Sequence, residues 1–353
     1  MPNTLERIAF HAAQRLRRSW YRGHWLAAAA LDRGRRPSGA VGPGRAAIDA
    51  DLDALVAADW AAVEAGHYLA PTGLPARPAR AIADSRAFFR DLPEVSRRRR
   101  ERGFREAAAE PGLLGLPAYY RQNFHYQSGG WLTPQSARLY DFQVEVLFAG
   151  AAGAMRRGAL PPLCEALRRA GPGARMADLA CGTGGFLSAV KDNWPRVAAL
   201  GVDLSPAYLA EAARRLAGRR RVALVQAPAE RLPLADASLD AVTCIYLFHE
   251  LPPKVRTAVA AEVARVLRPG GRLVLVDSLQ TGDHPPYDGL LERFPAVFHE
   301  PYFASWNTLD VAGLFAAAGL VPGRVERRFL SKIMTFDRPE APARQRPRRR
   351  STS

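Results

Sequence analysis

Cysteine is scarce in this chain. Three occur in 353 residues, Cys164, Cys181 and Cys244, widely spaced and never as CxxC, which argues against a disulfide framework and against a cysteine-based zinc site. A long apolar run is missing as well: the alanine stretch HWLAAAAL (24–31) is far shorter than the ~20 residues of a bilayer span. The opening MPNTLERIAFHAAQRLRR carries charge throughout, as an amphipathic helix does and a secretory leader does not. The chain therefore reads as a cytoplasmic globular protein, and its 48% hydrophobic content is enough to bury a sizeable core. No internal repeat and no metal-ligand motif is visible, so no metal is expected.

Acidic residues are too few to balance the basic ones outside the middle of the chain. Between Pro172 and Glu300 there are 15 Lys+Arg and 14 Asp+Glu, whereas the flanks hold 35 and 20 and so nearly all of the net charge of +16. The excess sits in RLRR (15–18), RGRR (33–36), RRRRERGFR (97–105) and RQRPRRRSTS (344–353). Runs of this kind are read as solvated surface, with an anionic polymer such as nucleic acid as the less favoured partner. Residues 338–353 are expected to be a disordered basic tail.

What is present divides the chain. Residues 1–110 read as a helical N-terminal region, with AIDADLDALVAADWAAVEAGHYL (47–69) repeating its apolar positions near the helical period. Residues 111–160 follow as an aromatic loop, up to Trp131, and a helix, PQSARLYDFQVEVLFAGAAGAMRRGAL (134–160), with Pro134 near its start. From 161 to 337 short apolar runs alternate with amphipathic helical stretches: 175–180, 197–204, 221–227, 239–248 and 272–278. A helix near 308–319 then precedes two closing strands, 324–330 and 332–337. Such alternation predicts an α/β fold with a doubly wound, mostly parallel, Rossmann-like sheet covered on both faces.

The first of these strands runs into DLACGTGGF (178–186), a glycine-rich turn that suits a nucleotide-like ligand. A P-loop is excluded, because no lysine follows Gly185 until Lys191. The dinucleotide fingerprint is incomplete, because Leu187 stands where its third glycine belongs. A ligand without a pyrophosphate fits better, with the glycines admitting close backbone approach.

These residues, with GVDLSP (201–206), APAERLPLADASLDAVTCIYLFHEL (227–251) and LRPGGRLVLVDS (267–278), resemble the ordered motifs of class I S-adenosylmethionine-dependent methyltransferases. The resemblance covers 172–337, about half the chain. It implies S-adenosylmethionine as cofactor, held by Asp178, Ala180, Gly182, Thr183, Gly184, Asp203, Leu204, Ala229, Glu230 and Phe248. Asp178 would lie near the methionine amino group. Asp203 would accept hydrogen bonds from both ribose hydroxyls, since two carboxylate oxygens match a vicinal diol. Pro228-Ala229-Glu230 departs from the Asp-Ala-Glu common in relatives, and proline offers neither a side-chain acceptor nor an N–H, so adenine recognition passes to Ala229 and Glu230.

In an open sheet of this kind ligands bind beyond the carboxyl ends of the strands, which gathers Gly182, Asp203, Glu230, Phe248 and Asp277 at one cleft. His249, just past the fourth strand, and His299 are the expected proton acceptors. DHPPY (283–287) follows the fifth strand rather than the fourth and reads as a turn. Aromatic residues at 119–131 and 287–306, two loop-like segments, are expected to enclose an apolar or aromatic acceptor of metabolite size, with Tyr126, Trp131, Tyr140, Phe298 and Tyr302 as its contacts. Two alternatives stay open: methyl transfer to RNA or protein guided by the basic flanks, and a non-catalytic protein that only binds the cofactor.

Overall fold

The computed structural model describes residues 2–32, 42–71, 78–109 and 115–340. The arginine run at 33–36 and the tail from 341 onward lie outside the described residues. Three helices come first, α1 (Thr4–Leu31), α2 (Arg45–Glu64) and α3 (Pro78–Glu101), followed by α4 (Pro134–Leu147), α5 (Ala152–Arg157) and α6 (Leu160–Ala170). Strands and helices then alternate: β1 (Arg175–Leu179), α7 (Gly185–Asn193), β2 (Ala198–Asp203), α8 (Pro206–Leu216), β3 (Val222–Gln226), β4 (Leu239–Ile245), α9 (Pro253–Val266) and β5 (Leu267–Ser278). The remaining elements are α10 (Asp288–Phe298), α11 (Phe303–Asn307), α12 (Val311–Ala317), β6 (Val321–Arg328) and β7 (Ser331–Asp337).

Among the described residues seven strands form one sheet in the order β3-β2-β1-β4-β5-β7-β6. β1 to β5 run parallel, and β7 enters antiparallel between β5 and β6. The central strands are buried on both sides, as Met176, Ala177, Leu179, Val242 and Leu273 to Val276 show, which is why they read as continuous apolar runs rather than alternating ones. The strand order reverses between β1 and β4, and a crevice at the carboxyl ends follows from that topology.

The helical region packs onto this sheet through α2. Leu52, Leu55, Val56, Trp60 and Val63 are buried at helical spacing. Asp59 on the same helix holds Arg157 of α5 in a two-pronged ion pair (Nη2 to Oδ2, 2.6 Å) and also accepts from the Tyr68 hydroxyl. Asn3 and Glu6 form a capping box that starts α1.

Two expectations need correction. The single helix expected over 134–160 is broken at Ala149 and Gly150, both with positive φ (49° and 82°). The break lets α1 approach: a Cβ on Gly150 would meet the Arg17 carbonyl at 3.2 Å, and Arg17 Nε donates to the Gly150 carbonyl. The segment 287–306, expected as loop, forms α10 and α11. Leu290, Leu291, Phe294 and Phe298 recur at three- and four-residue steps on α10, and packing overrides the interior Pro295.

Candidate active site

The glycine turn leaves β1 with Ala180 and Gly182 at φ 53° and Gly184 at φ 75°, and α7 starts at Gly185. The Gly182 N–H donates to Asp203 Oδ2 (2.8 Å), and the Ser205 N–H donates to Oδ1 (2.8 Å), so the end of β2 is locked to the turn. Burial lifts the Asp203 carboxyl to about 6, although these backbone donors favour its charged form. Ala180, Gly182, Asp203, Leu204, Ala229 and Glu230 all line the resulting cleft, as does Pro228. Tyr119 and Tyr120 close it from the aromatic loop, and the Tyr119 hydroxyl donates to Glu230 Oε1 (2.9 Å). Glu230 Oε2 is buried without a partner, which leaves an acceptor free on a cleft-lining residue.

Four residues expected to touch the cofactor stand behind the cleft wall. Asp178 is buried beneath the turn and accepts from the Thr243 hydroxyl (2.6 Å), and burial pushes its carboxyl up to about 7. Thr183 donates to Asp141 of α4, which ties the turn to the helical cover. Gly184 allows α7 and α8 to meet, since a Cβ there would lie 3.1 Å from that of Ala212. Phe248 is fully buried against Phe315 on the far face of the sheet. Spacing along the sequence places these four near the motif but does not orient their side chains.

A larger cavity of about 320 Å³ adjoins the cleft, bounded by α1, α3 and α4 on one side and α10 on the other. Its walls are mostly apolar, with Trp25, Phe88, Val95, Leu147, Leu290 and Phe298 among them. Trp131, Tyr140, Tyr246 and Glu250 belong to both chambers. Of the residues expected to contact the acceptor, Trp131, Tyr140 and Phe298 line this cavity. Tyr126 and Tyr302 are not on the wall: Tyr126 is buried with its ring beside His299, and the Tyr302 carbonyl accepts from Arg256. Phe294 and Phe303 line the cavity in their place.

The cavity wall is polar where it meets the cleft at Glu250. His249 Nδ1 bonds to Asp277 Oδ1 (2.5 Å), and its Nε2 lies 3.4 Å from Glu250 Oε1. Burial disfavours the charged ring, yet Asp277 and Glu250 outweigh it and hold His249 well above its ordinary value. Its acidic neighbours thus favour the charged ring, in which both nitrogens donate, over the neutral ring that a proton acceptor requires. His299 is directed elsewhere, stacked 4.2 Å from Phe104 and bonded to Gln122 (2.8 Å), and it is not on the cavity wall.

The neighbouring Glu300 takes the inward position. His125 Nε2 lies 2.8 Å from Glu300 Oε1 and 3.4 Å from Glu250 Oε1. Burial opposes charge on His125, but Glu300 and Glu250 raise it to about 10. Burial and then the Glu250 charge raise Glu300 to about 7. Glu250, which burial alone would raise, is brought down to about 2 by His125 and His249. His125, Tyr126, Tyr246 and His299 all have positive φ, strain of the sort that concentrates at functional sites. The sequence carries a signal for this cluster in two FHE triplets, 248–250 and 298–300, and FHY at 124–126, whose members meet only in the fold.

A methyltransferase-domain family model matches residues 176–271. The demethylmenaquinone methyltransferase of Deinococcus radiodurans is 40% identical over 161 residues, 45% of this chain and 60% of that protein. The ubiquinone/menaquinone biosynthesis C-methyltransferase of Desulfotalea psychrophila is 33% identical over 46% of this chain and 72% of its own length. The demethylmenaquinone methyltransferase of Thermus thermophilus is 31% identical over 53% of this chain and 80% of its own length. The chain thus spans less than two-thirds of the first of these relatives, and the helical N-terminal region lies outside the family-model match.

Proposed function

Since the chain belongs to the class I S-adenosylmethionine-dependent methyltransferases, we propose that it transfers the methyl group of that cofactor to a small apolar or aromatic metabolite held in the 320 Å³ cavity. One observation carries the reading: the cavity and the cofactor cleft share Trp131, Tyr140, Tyr246 and Glu250 as a common wall. A methyl group leaving the cleft at that wall meets a mostly apolar chamber.

The residues of the cleft fit the cofactor. Asp203 stands at the end of β2 for the ribose diol, the glycine turn admits close approach, and the unpaired Glu230 Oε2 is an acceptor on the adenine side. Bound there, S-adenosylmethionine supplies an already activated methyl donor, so the protein's work is to align the acceptor, exclude water and manage any proton. Trp131, stacked 4.2 Å from Phe124, fixes one side of the junction. His249, oriented by Asp277, presents a hydrogen-bond donor to an acceptor oxygen.

The named substrate of the first relative, demethylmenaquinone, is a ring compound of the kind this cavity suits. Incubation with methyl-labelled cofactor and a cell extract, separated into RNA, protein and metabolite fractions, tests the reading. Label is expected in the apolar metabolite fraction. Label confined to RNA or protein, or no transfer with any fraction, would overturn it.

A further inference from the structure

The polar part of the cavity wall beside Glu250 holds more than hydrogen-bond donors. His125 comes from the turn before α4, Glu250 from the loop after β4 and Glu300 from the turn between α10 and α11. One donor atom from each lies within 4.8 Å of the others. Both glutamates are more than nine-tenths buried, and Glu250 Oε2 and Glu300 Oε2 have no hydrogen-bond partner. His125 supplies one positive charge between the two buried carboxylates, yet their orphaned oxygens stay unsatisfied, which is costly unless a further positive group reaches them.

We infer that His125, Glu250 and Glu300 form a binding site for a first-row divalent cation, and that this cation anchors an oxygen of the acceptor in the cavity. The spacing suits it. With metal–ligand bonds of about 2.0–2.2 Å, adjacent donors sit roughly 3.0–3.5 Å apart, and the two His125 Nε2 separations are 2.8 and 3.4 Å. The charge suits it too, because His125, once it gives up its proton to bind, leaves a neutral imidazole and two carboxylates with two negative charges, which a dication neutralises. One nitrogen and carboxylate oxygens are a donor set for Mn²⁺, Fe²⁺ or Zn²⁺. His125 and Glu250 are on the cavity wall, so the remaining coordination positions face the acceptor. The partners behind the ligands are also in place, with His249 against Glu250 and Asp277 orienting His249.

The acceptor half of this inference rests on the methyl-transfer reading; the cation half does not. The test uses the full chain, purified with chelator and titrated with Mn²⁺ while the electron paramagnetic resonance signal of the free ion is followed. One Mn²⁺ bound per chain is expected, with binding weakened at least tenfold in Glu300→Gln and in His125→Asn. Circular dichroism reports whether each variant folds. His125, on a turn and partly exposed, carries the test if Glu300→Gln does not fold. Absence of binding at millimolar Mn²⁺, or wild-type affinity in both folded variants, would overturn the site. Calorimetry with S-adenosylhomocysteine, run without metal, separates the two ideas: cofactor binding without Mn²⁺ binding removes the cation and leaves the methyl-transfer reading standing.

Discussion

The Ser205 hydroxyl donates to the Trp131 carbonyl at 2.6 Å. This bond joins the loop that carries Asp203 to the residue that lines both the cleft and the larger cavity. The same oxygen accepts from the Tyr208 N–H and caps α8. One small side chain thus couples the cofactor-binding half of the site to its aromatic cover.

Ser205→Ala removes both bonds at a fully buried position. Loss of an N-cap costs about 1 kcal/mol, and the unpaired Trp131 carbonyl adds a further penalty of about 1–3 kcal/mol. Chemical denaturation is expected to show a drop of that size, and calorimetry a several-fold weaker S-adenosylhomocysteine affinity. Unchanged values in both would mean that the tether has no energetic role.

Asp203→Ala removes the acceptor at the end of β2. A hydrogen bond to a charged group contributes about 1.5–3 kcal/mol, so S-adenosylhomocysteine binding is expected to weaken by ten- to a hundredfold. Because the Gly182 and Ser205 N–H groups also lose their partner, Asp203→Asn serves as a milder companion that keeps one acceptor oxygen. Calorimetric affinity equal to wild type in both variants would remove Asp203 from the cofactor site.

The sheet and the cleft are legible in the sequence because each strand reports locally. Runs such as LDAVTCI and LVLV (273–276) are largely apolar since both faces are covered, and the glycines of Gly182-Thr183-Gly184-Gly185 signal a turn from the sequence alone. Side-chain direction is not legible. Asp178 and Phe248 lie within a few residues of cleft-lining positions yet point into the core, because strand alternation and the twist of the next loop, not proximity, decide the face. The polar cluster is hidden for another reason: His125, Glu250 and Glu300 are separated by 125 and 50 positions and meet through tertiary packing alone. His299 has the chemistry expected of a proton acceptor, but its neighbour Glu300 holds the inward position, and one residue of register on a turn exchanges the two.

Asp178 should report its burial through pH. Its folded value, about 7, lies above the ordinary 3.8, so the folded state favours the protonated form. The stability this contributes is full below about pH 4 and is lost as pH rises through about 7. At roughly 1.4 kcal/mol for each pH unit separating the two values, the loss amounts to a few kcal/mol in all. Asp178→Asn keeps an acceptor for Thr243 and removes the titration. The stability of the variant relative to wild type is expected to rise between pH 4 and pH 8 in denaturant titrations. Asp203 also titrates near 6 but is common to both proteins, so it cancels in the difference. A difference that stays flat with pH would show that Asp178 is ionised throughout.

The 320 Å³ cavity can be filled without disturbing the cofactor cleft. Leu147, at the end of α4, lines the cavity and has no part in the cleft. A tryptophan there adds several heavy atoms to a chamber of about 320 Å³ and should occupy much of the space an aromatic acceptor needs. Overpacking a core costs about 1–3 kcal/mol, but this position faces empty volume, so the stability loss should fall at or below the low end of that range. Binding of an apolar fluorescent probe such as anilinonaphthalene sulfonate, and label transfer to the apolar metabolite fraction, are expected to fall at least tenfold in Leu147→Trp, while S-adenosylhomocysteine affinity stays within twofold of wild type. The paired measurement decides between sites. If transfer persists while probe binding is lost, the acceptor enters elsewhere and the cavity is not its pocket; if both survive, the chamber is too loose to enclose an acceptor and hold it in line with the methyl group.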